Sequence, residues 1–381
     1  MRRTIFDETH DAFRQTVRKV LAQEVEPYAE RWEDEELVPR ELYPRLARAG
    51  LLGLQIPEEH GGGGQSSFLY NAVVTEEIAR GSSFLGQVNL HMNVVVPYFL
   101  RLATPAQQAR WLPGMASGAT MGAIAMTEPG TGSDLAGIAT TAVREGDHWV
   151  LNGAKTFITG GAHAGAVIVV ARTARTEDRR GGLTLFVVED GMPGFTRGRP
   201  LRKLGLHAQD TTELFFTEVR VPADNVLGEE GGAFAHLTAN LPQERLSIAV
   251  GSQAMSEAMI TETVEYVTSR QVFGKSLATF QNTRFTLAAL AAQAESVRHM
   301  VDRALAELDE GQLSPADAAK AKLVATELQG RIADECLQLH GGYGYIREYP
   351  IARRYADARV SRIYGGSNEI MKSIIAKSLG L

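Results

Sequence analysis

The apolar positions from Thr9 to about residue 118 recur every three or four residues, which is the period of an amphipathic helix. Glycines and prolines then break this pattern into several shorter helical segments. The apolar face of the first predicted helix is formed by Phe13, Val17, Val20 and Tyr28. The pattern therefore predicts an N-terminal helical domain over residues 1–118.

The pattern changes at about residue 119. Residues 167–170 and 183–188 form runs rich in β-branched and aromatic side chains, with the length of a strand. Asn152-Gly153 is typical of a tight turn between two strands. Because no helical pattern separates these runs, we expect an antiparallel β-barrel or sandwich over residues 119–225 rather than alternating strands and helices.

Long helical patterns return in residues 226–381. Ser314 and Pro315 form a predicted helix start, and Gly341 ends the same helix. Two apolar stripes follow helical spacing: Leu287, Leu290, Ala294, Val297, Val301, Leu305 and Leu308 in one, and Ala318, Ala321, Ala325, Leu328, Ile332, Cys336 and Leu339 in the other. Several such helices in series predict a C-terminal four-helix bundle.

Composition narrows the class of protein. A chain of 381 residues is too long for one ordinary core, and 44% hydrophobic with 22% charged residues is a globular balance. A net charge of −6 gives no electrostatic reason to expect nucleic acid or an anionic membrane as partner. The single cysteine excludes an intrachain disulfide, and we see neither a secretory signal nor an apolar run of about 20 residues. We expect a cytoplasmic protein without a membrane span.

Taken alone, the candidate functional residues have ordinary explanations. The Gly-x-Gly in residues 125–134 lacks the strand and helix that frame a dinucleotide site, so a loop entering the β domain is the simpler interpretation. Phe157 alone would be a core residue, and Arg270 a solvated helix end. Glu244 alone would be a first-turn glutamate, favoured by the helix dipole, in a helix that starts at Pro242.

Four segments together resemble the acyl-CoA dehydrogenases. They are residues 125–134 (AMTEPGTGSD), 155–160 (KTFITG), 241–245 (LPQER) and 364–369 (YGGSNE), and they occur in the family's order along nearly the whole chain. In most of that family a glutamate base stands where Gly365 stands here. In a minority branch, the long-chain and isovaleryl-type enzymes, the base stands where Glu244 stands. The residues of these motifs are closer to those of the long-chain branch. The resemblance also implies the family's architecture of a helical domain, a β domain and a second helical domain.

The resemblance implies FAD as cofactor and no metal. Residues 125–134 and 155–160 would contact the flavin, where Phe157 keeps the aromatic face of the family's tryptophan but lacks the indole donor. Residues 270–274 and 338–342 would reach the FAD of a neighbouring subunit, the arginine facing the pyrophosphate. The implied cofactor-binding residues are Ile124, Ala125, Met126, Thr127, Gly132, Ser133, Phe157, Ile158, Thr159, Arg270, Phe273, Gln281, Gln338, Leu339, His340, Gly341, Gly342, Ser367, Asn368 and Glu369.

The resemblance also implies a reaction. Glu244 would remove the α-proton of an acyl-CoA thioester while the flavin accepts the β-hydrogen as hydride, which gives a trans-2-enoyl-CoA. The implied substrate-binding residues are Ser133, Pro242, Gln243, Arg245, Gly365 and Gly366. The family's shared cofactor implies a homo-oligomer, usually a tetramer built as a dimer of dimers, and an electron-transferring flavoprotein as electron acceptor.

Two other functions fit the same motifs. One is a flavin oxidase or monooxygenase of the same fold that reacts with oxygen; Glu244 and the Gly130–Asp134 loop favour the dehydrogenase. The other is a non-catalytic flavoprotein that binds a partner or nucleic acid, against which the acidic composition argues. The sequence leaves the length and branching of the acyl chain open.

Overall fold

The computed structural model describes residues 1–81 and 83–381, and the first part of the chain is helical. Its helices are α1 (Glu8–Glu24), α2 (Ala29–Glu35), α3 (Leu42–Arg48), α4 (Leu69–Gly81), α5 (Gly86–Leu90), α6 (Val96–Leu102) and α7 (Pro105–Ala116). α1 begins after Asp7, whose carboxylate accepts the backbone N–H groups of Thr9 and His10 and so satisfies donors that the first turn leaves free. A five-residue π-helical segment, His91–Val95, joins α5 to α6.

Tyr28 does not lie on the first helix, contrary to the prediction. α1 ends at Glu24, and Tyr28 belongs to a separate short 3-10 helix, Glu26–Tyr28. Pro27 lies in that segment, and proline has no N–H with which to continue the hydrogen-bond ladder of a preceding α-helix. The ring of Tyr28 instead stacks on Trp32 with the centroids 5.6 Å apart.

The middle part of the chain forms one eight-stranded sheet. Its strands are β1 (Gly122–Ala125), β2 (Thr141–Glu145), β3 (His148–Thr159), β4 (Ala166–Arg172), β5 (Leu183–Glu189), β6 (Phe195–Arg197), β7 (Thr211–Pro222) and β8 (Val226–Leu227). The order is β6-β7-β3-β2-β4-β5-β8, and β1 pairs with β4. The predicted antiparallel arrangement is wrong for two pairs, since β1 runs parallel to β4 and β2 meets β4 at one parallel position. The predicted turn at Asn152-Gly153 is also wrong, because both residues lie inside β3, where the pairing with β7 shifts its register. The β2–β3 hairpin lies between β1 and β4 in the sequence. It allows β4 to run in the same direction as β1 without a crossover helix between them.

β4 and β5 are buried on both faces, which explains their continuous apolar runs. Ile168 and Val187 belong to a core that reaches α6 and α7. Val169 and Phe186 point the other way, into a core with Trp149 of β3. The sheet is therefore a packed layer, and the end of β1 and the bulged part of β3 lie where the sheet meets the helices.

The last part of the chain is a helical bundle, as predicted. Its elements are α8 (Ala233–Ser269), the short hairpin β9 (Gln271–Val272) and β10 (Lys275–Ser276), α9 (Gln281–Asp309), α10 (Pro315–His340), α11 (Pro350–Ala358) and α12 (Asn368–Ser378). Ser314 caps α10 by accepting the N–H of Asp317, and Gly341 ends it with φ +58°. Cys336 is fully buried in the bundle core, and burial raises the pKa of its thiol to about 11, as suits a structural cysteine. Among the described residues, no helix combines the length and apolarity needed to cross a bilayer.

Pro242 does not start a helix, contrary to the prediction. α8 begins nine residues earlier, at Ala233, and continues past the proline to a total length of 37 residues. A proline inside a helix removes one hydrogen bond and costs roughly 3 kcal/mol. Packing on both sides of the proline offsets this cost: Leu237 is buried in the core beside the sheet, whereas Leu246 is buried in the bundle core. Glu244 is consequently a residue of the middle of a long, firmly packed helix.

A buried ion network fastens the N-terminal arm and α1 to α4. Glu76 accepts from Arg3 and Arg14, each at 2.6 Å, and Glu77 accepts from Arg14 at 2.8 Å and Arg18 at 2.6 Å. Burial alone would raise the pKa of Glu76, but the two arginines outweigh burial and the pKa is lowered. The network therefore requires an ionised Glu76.

We predict that Glu76→Gln lowers the free energy of unfolding at pH 7 by about 3 kcal/mol, because it removes one charge from a buried pair. Because the pKa of Glu76 is lowered in the folded state, its carboxylate stabilises the fold fully above its ordinary pKa of 4.5. This stabilisation is lost as the pH falls through the lowered pKa. The difference between parent and variant should therefore shrink below pH 4 in urea titrations. Glu35→Gln, which removes an exposed partner of Arg31, should change stability by less than about 0.5 kcal/mol; a similar loss in both variants would contradict the prediction.

Candidate active site

A cavity of about 230 Å³ lies where α4, α5 and α8 meet the edge of the sheet. Its wall combines segments that are far apart in sequence: the end of β1, the bulged part of β3, one face of α8 and the turn before α12. The sequence-predicted residues on this wall are Ile124, Met126, Thr127, Phe157, Ile158, Thr159, Glu244 and Gly365. The fold thus brings the predicted base into the same cavity as both predicted flavin motifs.

Glu244 lies on α8 with its carboxylate at the cavity. The residue as a whole is half-buried because it lines the wall, but Oε2 is fully buried and has no hydrogen-bond partner in the described part of the chain. Burial raises the pKa of Glu244, and Arg245 and Lys322 oppose this only in part. A carboxylate with a free oxygen and a raised pKa is well suited to accept a proton.

Gly365 faces Glu244 across a short distance. A Cβ at this position would stand 3.6 Å from Oε1 of Glu244 and would collide with Cδ1 of Ile248. Gly365 and Gly366 have φ values of +63° and +92°, which glycine adopts without strain. Positions 244 and 365 therefore open onto the same point in space, and the side chain of Ile248 fills the room beside the glycine.

Phe157 presents its ring to the cavity from a strained piece of backbone. The pairing of β3 with β7 slips between Lys155 and Ile158, and Phe157 in this bulge has φ +58°. Its side chain is 67% exposed although it is aromatic and belongs to a central strand. Exposed aromatic residues held at positive φ are rare, and such strain concentrates at binding sites. An aromatic face held open in this way fits a flat ring such as an isoalloxazine.

A buried ion pair holds the loop that carries Met126. Lys155 of β3 donates to Oε1 of Glu128 at 2.8 Å and to the carbonyl of Met126 at 3.1 Å. Glu128 also accepts the backbone N–H groups of Ala139 and Thr140, at 2.7 and 2.9 Å. Since both charges are buried and fully engaged, this arrangement fixes the loop against the sheet.

The residues predicted to reach a second subunit form a separate groove. Arg270, Gln338, Leu339, His340, Gly341 and Gly342 line it together with Tyr266 and Tyr343. The guanidinium of Arg270 lies 5.4 Å from the ring centroid of Tyr343, and the ring of His340 stacks on Tyr266. Phe273, on the adjacent hairpin, is 94% exposed with φ +49°. The prediction that these segments form one site is compatible with this placement, and the groove is distinct from the cavity at Glu244.

Other predicted residues lie outside the cavity wall: Ala125, Gly132, Ser133, Pro242, Gln243, Arg245, Gln281, Gly366, Ser367, Asn368 and Glu369. Asn368 is buried, and its amide accepts from Lys322 at 2.9 Å and donates to Glu327 at 2.8 Å. Its side chain therefore faces the protein interior rather than a ligand. Arg245 is also buried, and its Nε lacks a hydrogen-bond partner among the residues described.

Sequence reasoning missed much of the cavity wall. The residues that were missed are Thr75, Ile78 and Ala79 of α4, Ser83, then Gly86, Asn89 and Leu90 of α5, Val94, Leu206, Gln209, then Ser247, Ile248, Gly251, Ser252 and Met255 of α8, and finally Gln329, Asp357 and Ser361. The α8 members follow Glu244 at helical spacing, so counting every third and fourth residue from the base would have found them. The residues of α4 and α5 carry no comparable local signal.

A buried amide network sets the position of α8 beside Glu244. Asn93, in the π-helical segment, accepts from Asn71 at 2.9 Å and donates to Ser247 at 2.8 Å. The carbonyl of Asn93 accepts the amide of Gln243 at 2.8 Å. Because Gln243 and Ser247 flank Glu244 on α8, the π-helical turn holds the helix on both sides of Glu244, and such turns are frequent at functional sites.

Family comparisons agree with this architecture. The chain matches the acyl-CoA dehydrogenase N-terminal domain over residues 7–119, the middle domain over 123–219 and the C-terminal domain over 231–380. The chain belongs to the acyl-CoA dehydrogenase family, an oxidoreductase family, and the predicted family and fold class are confirmed.

Individual relatives point to one branch of the family. The chain is 47% identical over 378 residues to the mitochondrial long-chain specific acyl-CoA dehydrogenase of Rattus norvegicus, covering 99% of this chain and 88% of that protein. It superimposes on a crystal structure of an acyl-CoA dehydrogenase from Geobacillus kaustophilus with a TM-score of 0.97 and 45% identity, over 99% of both chains. A glutaryl-CoA dehydrogenase from Mycobacterium smegmatis in complex with FADH2 gives a TM-score of 0.91 and 29% identity, over 98% of this chain and 95% of that one. The predicted likeness to the long-chain branch is confirmed.

We predict that Glu244→Gln unfolds at a higher temperature than the parent at pH 8. The pKa of Glu244 is raised in the folded state, so the folded chain binds this proton more tightly than the unfolded chain. Ionisation of Glu244 therefore costs stability as pH rises from its ordinary pKa of 4.5 through the raised value, and glutamine avoids that cost.

The gain in melting temperature should disappear at pH 4, where the parent carboxyl is also neutral. Calorimetry of the parent and of Glu244→Gln, prepared with the same cofactor content, measures the difference in melting temperature. Glu230→Gln, at an exposed position, is the matched control and should melt with the parent at both pH values. A Glu244→Gln variant less stable than the parent at pH 8 would show that the carboxylate is held by interactions we have not identified.

Proposed function

We propose that this acyl-CoA dehydrogenase acts on long-chain acyl-CoA thioesters, with FAD as cofactor and Glu244 as the base that removes the α-proton. The observation that carries the proposal is the position of the Glu244 carboxylate. It lies on the wall of the cavity that both flavin motifs line, with one oxygen buried and free of partners among the described residues. The product would be a trans-2-enoyl-CoA.

The chain offers a suitable seat for FAD. Phe157 presents an open aromatic face, and the hydroxyl-bearing residues Thr127 and Thr159 lie on the same cavity wall. When bound, FAD supplies the acceptor for the hydride that leaves the β-carbon. A flat ring against Phe157 would place the substrate between the ring and α8, with Glu244 directed at the α-carbon.

The chain's own residues account for the proton step. Burial makes the Glu244 carboxylate a stronger base than a solvated one, because it raises the pKa toward working pH. Arg245 and Lys322 keep positive charge near the site, where negative charge develops on the thioester oxygen. The glycine turn at Gly365 and Gly366 supplies backbone N–H groups for that oxygen, and a preorganised donor of this kind is worth roughly 3 kcal/mol of barrier.

The shape of the cavity supports a long acyl chain. Glu244, Ile248, Gly251, Ser252 and Met255 line it along one face of α8. Eleven residues at 1.5 Å each separate the first from the last, which gives a trough of about 16 Å. With C–C bonds of about 1.5 Å, a trough of that length accommodates at least about ten carbons.

The surface supports an oligomer. Phe273 and the groove at Arg270 leave aromatic and cationic side chains uncovered, as expected where a second subunit contributes to the cofactor site. We propose a homotetramer and an electron-transferring flavoprotein as electron acceptor, and long-chain specificity is consistent with the 47% identity to the rat long-chain enzyme.

The proposed function is tested by Glu244→Gln in FAD-loaded protein. The change is nearly isosteric and removes only the basic oxygen, so turnover of palmitoyl-CoA with an artificial electron acceptor should fall by at least ~10²–10⁴-fold. Flavin content and the far-ultraviolet spectrum should not change. Glu230→Gln, prepared in parallel, should match the parent, whereas a Glu244→Gln activity within a few-fold of the parent would place the base elsewhere.

The acyl trough generates a prediction about chain length. A Cβ at Gly251 would meet Thr75 and Ala79 at ordinary contact distances of 3.7 and 3.8 Å, so a larger side chain there should fold and protrude into the trough. We expect Gly251→Leu to lower kcat/KM for a sixteen-carbon substrate by about 10-fold or more, and to change the value for a six-carbon substrate by less than about 2-fold, since one buried methylene is worth about 0.8 kcal/mol.

Gly251→Ala is the matched control for the helix itself. Alanine stabilises a helix interior by about 1 kcal/mol relative to glycine, and its single methyl group leaves most of the trough open. The control should melt at or above the temperature of the parent and keep the preference for long chains. An equal loss for both chain lengths in Gly251→Leu would mean that this part of the cavity does not hold the acyl chain.

A further inference from the structure

Lys322 is a fully buried lysine of α10 whose side chain reaches the turn before α12. Its relative exposure is 0%. The ammonium donates to the carbonyl oxygen of Gly366 at 2.8 Å and to Oδ1 of Asn368 at 2.9 Å. Both acceptors are neutral oxygens rather than carboxylates. A buried cation held by neutral groups is costly, and an apolar side chain of the same length would fill the space more cheaply.

The turn that Lys322 holds is otherwise soft. Gly365 and Gly366 both lie at positive φ and have no side chains to lock them. Ile248 packs against the position of a Gly365 Cβ, and Cε of Met371 would stand 2.9 Å from a Gly366 Cβ. These apolar contacts limit the space of the turn but do not orient its peptide groups. The bond from Lys322 to the Gly366 carbonyl fixes the plane of the peptide that joins Gly366 to Ser367, because a hydrogen bond to a peptide fixes the plane of that peptide. With the chain held at this peptide, the two glycines before it can turn less freely.

The turn faces the base. A Cβ built at Gly365 would lie 3.6 Å from Oε1 of Glu244. A Cβ built at Gly366 would lie 3.9 Å from the guanidinium of Arg245. Burial and, after it, the nearby Arg245 lower the pKa of Lys322 to about 8, although the carboxylates of Glu369, Glu327 and Glu244 oppose the shift. Two cations therefore lie close together in a poorly solvated region. A carbonyl bound between Glu244 and the turn would therefore lie beside concentrated positive charge.

We propose that Lys322 is a positioning residue for the thioester carbonyl: by holding the carbonyl of Gly366 it anchors the end of the Gly365–Gly366 turn and so restricts the orientation of the backbone N–H groups of that turn. This inference rests on the proposed function, which places the thioester between Glu244 and the turn. Lys322 touches neither substrate nor cofactor and acts through the backbone. A free glycine turn would have to be ordered in each catalytic cycle, whereas a fixed turn is ordered in advance.

A purely structural Lys322 would stabilise the bundle and nothing else. Both roles predict a loss of stability when the lysine is removed, so stability cannot separate them. The two roles differ in their effect on the binding of a thioester carbonyl. A positioning role affects ligands with a thioester carbonyl, whereas a structural role affects all ligands of the cavity alike.

The test compares two ligands of the FAD-loaded parent and of Lys322→Met. One ligand is a twelve-carbon trans-2-enoyl-CoA, and the other is the S-dodecyl thioether of CoA, which has no carbonyl. We expect Lys322→Met to weaken binding of the enoyl-CoA by about 10-fold or more and of the thioether by less than about 2-fold in calorimetric titrations. The rate of flavin reduction by dodecanoyl-CoA should fall by about 10²-fold, the loss that a displacement of about 1 Å can cause. Equal weakening of both ligands, or of neither, would overturn the proposal.

Two further variants keep the test decisive. Thr326→Val removes a hydroxyl that contacts the same Asn368 at 3.2 Å but does not touch Gly366, and it should leave the ratio of the two affinities unchanged. If it shifts that ratio as Lys322→Met does, the effect belongs to Asn368 and the proposal fails. If Lys322→Met does not fold, Lys322→Arg keeps the charge but offers a differently shaped donor, and it should show the same selective loss for the enoyl-CoA. An inactive parent would disprove the proposed function, while the affinity ratio would still decide the role of Lys322.

Discussion

The structure depends on keeping one carboxylate ionisable in a place that disfavours its charge. Glu244 has a buried oxygen without a partner among the described residues, and burial raises its pKa. Such a group would relax toward water on a mobile segment. It stays in place because α8 is 37 residues long and is buried in two cores, one beside the sheet and one in the bundle. The helix thus supplies the rigidity that keeps this buried carboxylate in place.

The exchange of the base between two sequence positions has a geometric explanation. Gly365 and Glu244 lie on different elements, yet the Cβ position of the first is 3.6 Å from the carboxylate of the second. A side chain from either element can therefore reach the same point in the cavity, as the predicted exchange of the base between these positions requires. The exchange involves a third residue here, because the side chain of Ile248 occupies the space that a side chain at 365 would need. The arrangement is a property of the set Glu244, Ile248 and Gly365, not of one motif.

Local patterns predicted the secondary structure correctly where an apolar face or a cap within the segment determines the type of element. The stripes on α9 and α10, the cap at Ser314 and the strand runs of β4 and β5 all gave the correct element. The errors arose where distant packing overrides local chemistry. Pro242 has the sequence character of a helix start but is held inside α8 by the cores on both sides, and the parallel pairing of β1 depends on β4, more than 40 residues away. The site shows the same division. Resemblance predicted roles for Glu244 and Phe157, and the structure places both on one cavity wall. The contacts of Asn93 with Ser247 and of Lys322 with Gly366 join residues 154 and 44 positions apart and leave no local pattern.

Two exposed aromatic residues support the proposed cofactor and the proposed second subunit. Phe157 and Phe273 are 67% and 94% exposed, and both are held at positive φ. A bulky residue in that conformation costs of order 1–3 kcal/mol, and exposing its ring forgoes the gain of burial as well. Both costs can be recovered only if something covers the rings. Phe157 opens onto the cavity of Glu244, and Phe273 stands beside the groove of Arg270, so one covering group would have to be a flat ligand and the other a second protein surface. The strain at these two positions therefore supports a cofactor bound in the cavity and a subunit docked at the groove, reached from backbone geometry independently of the family's motifs.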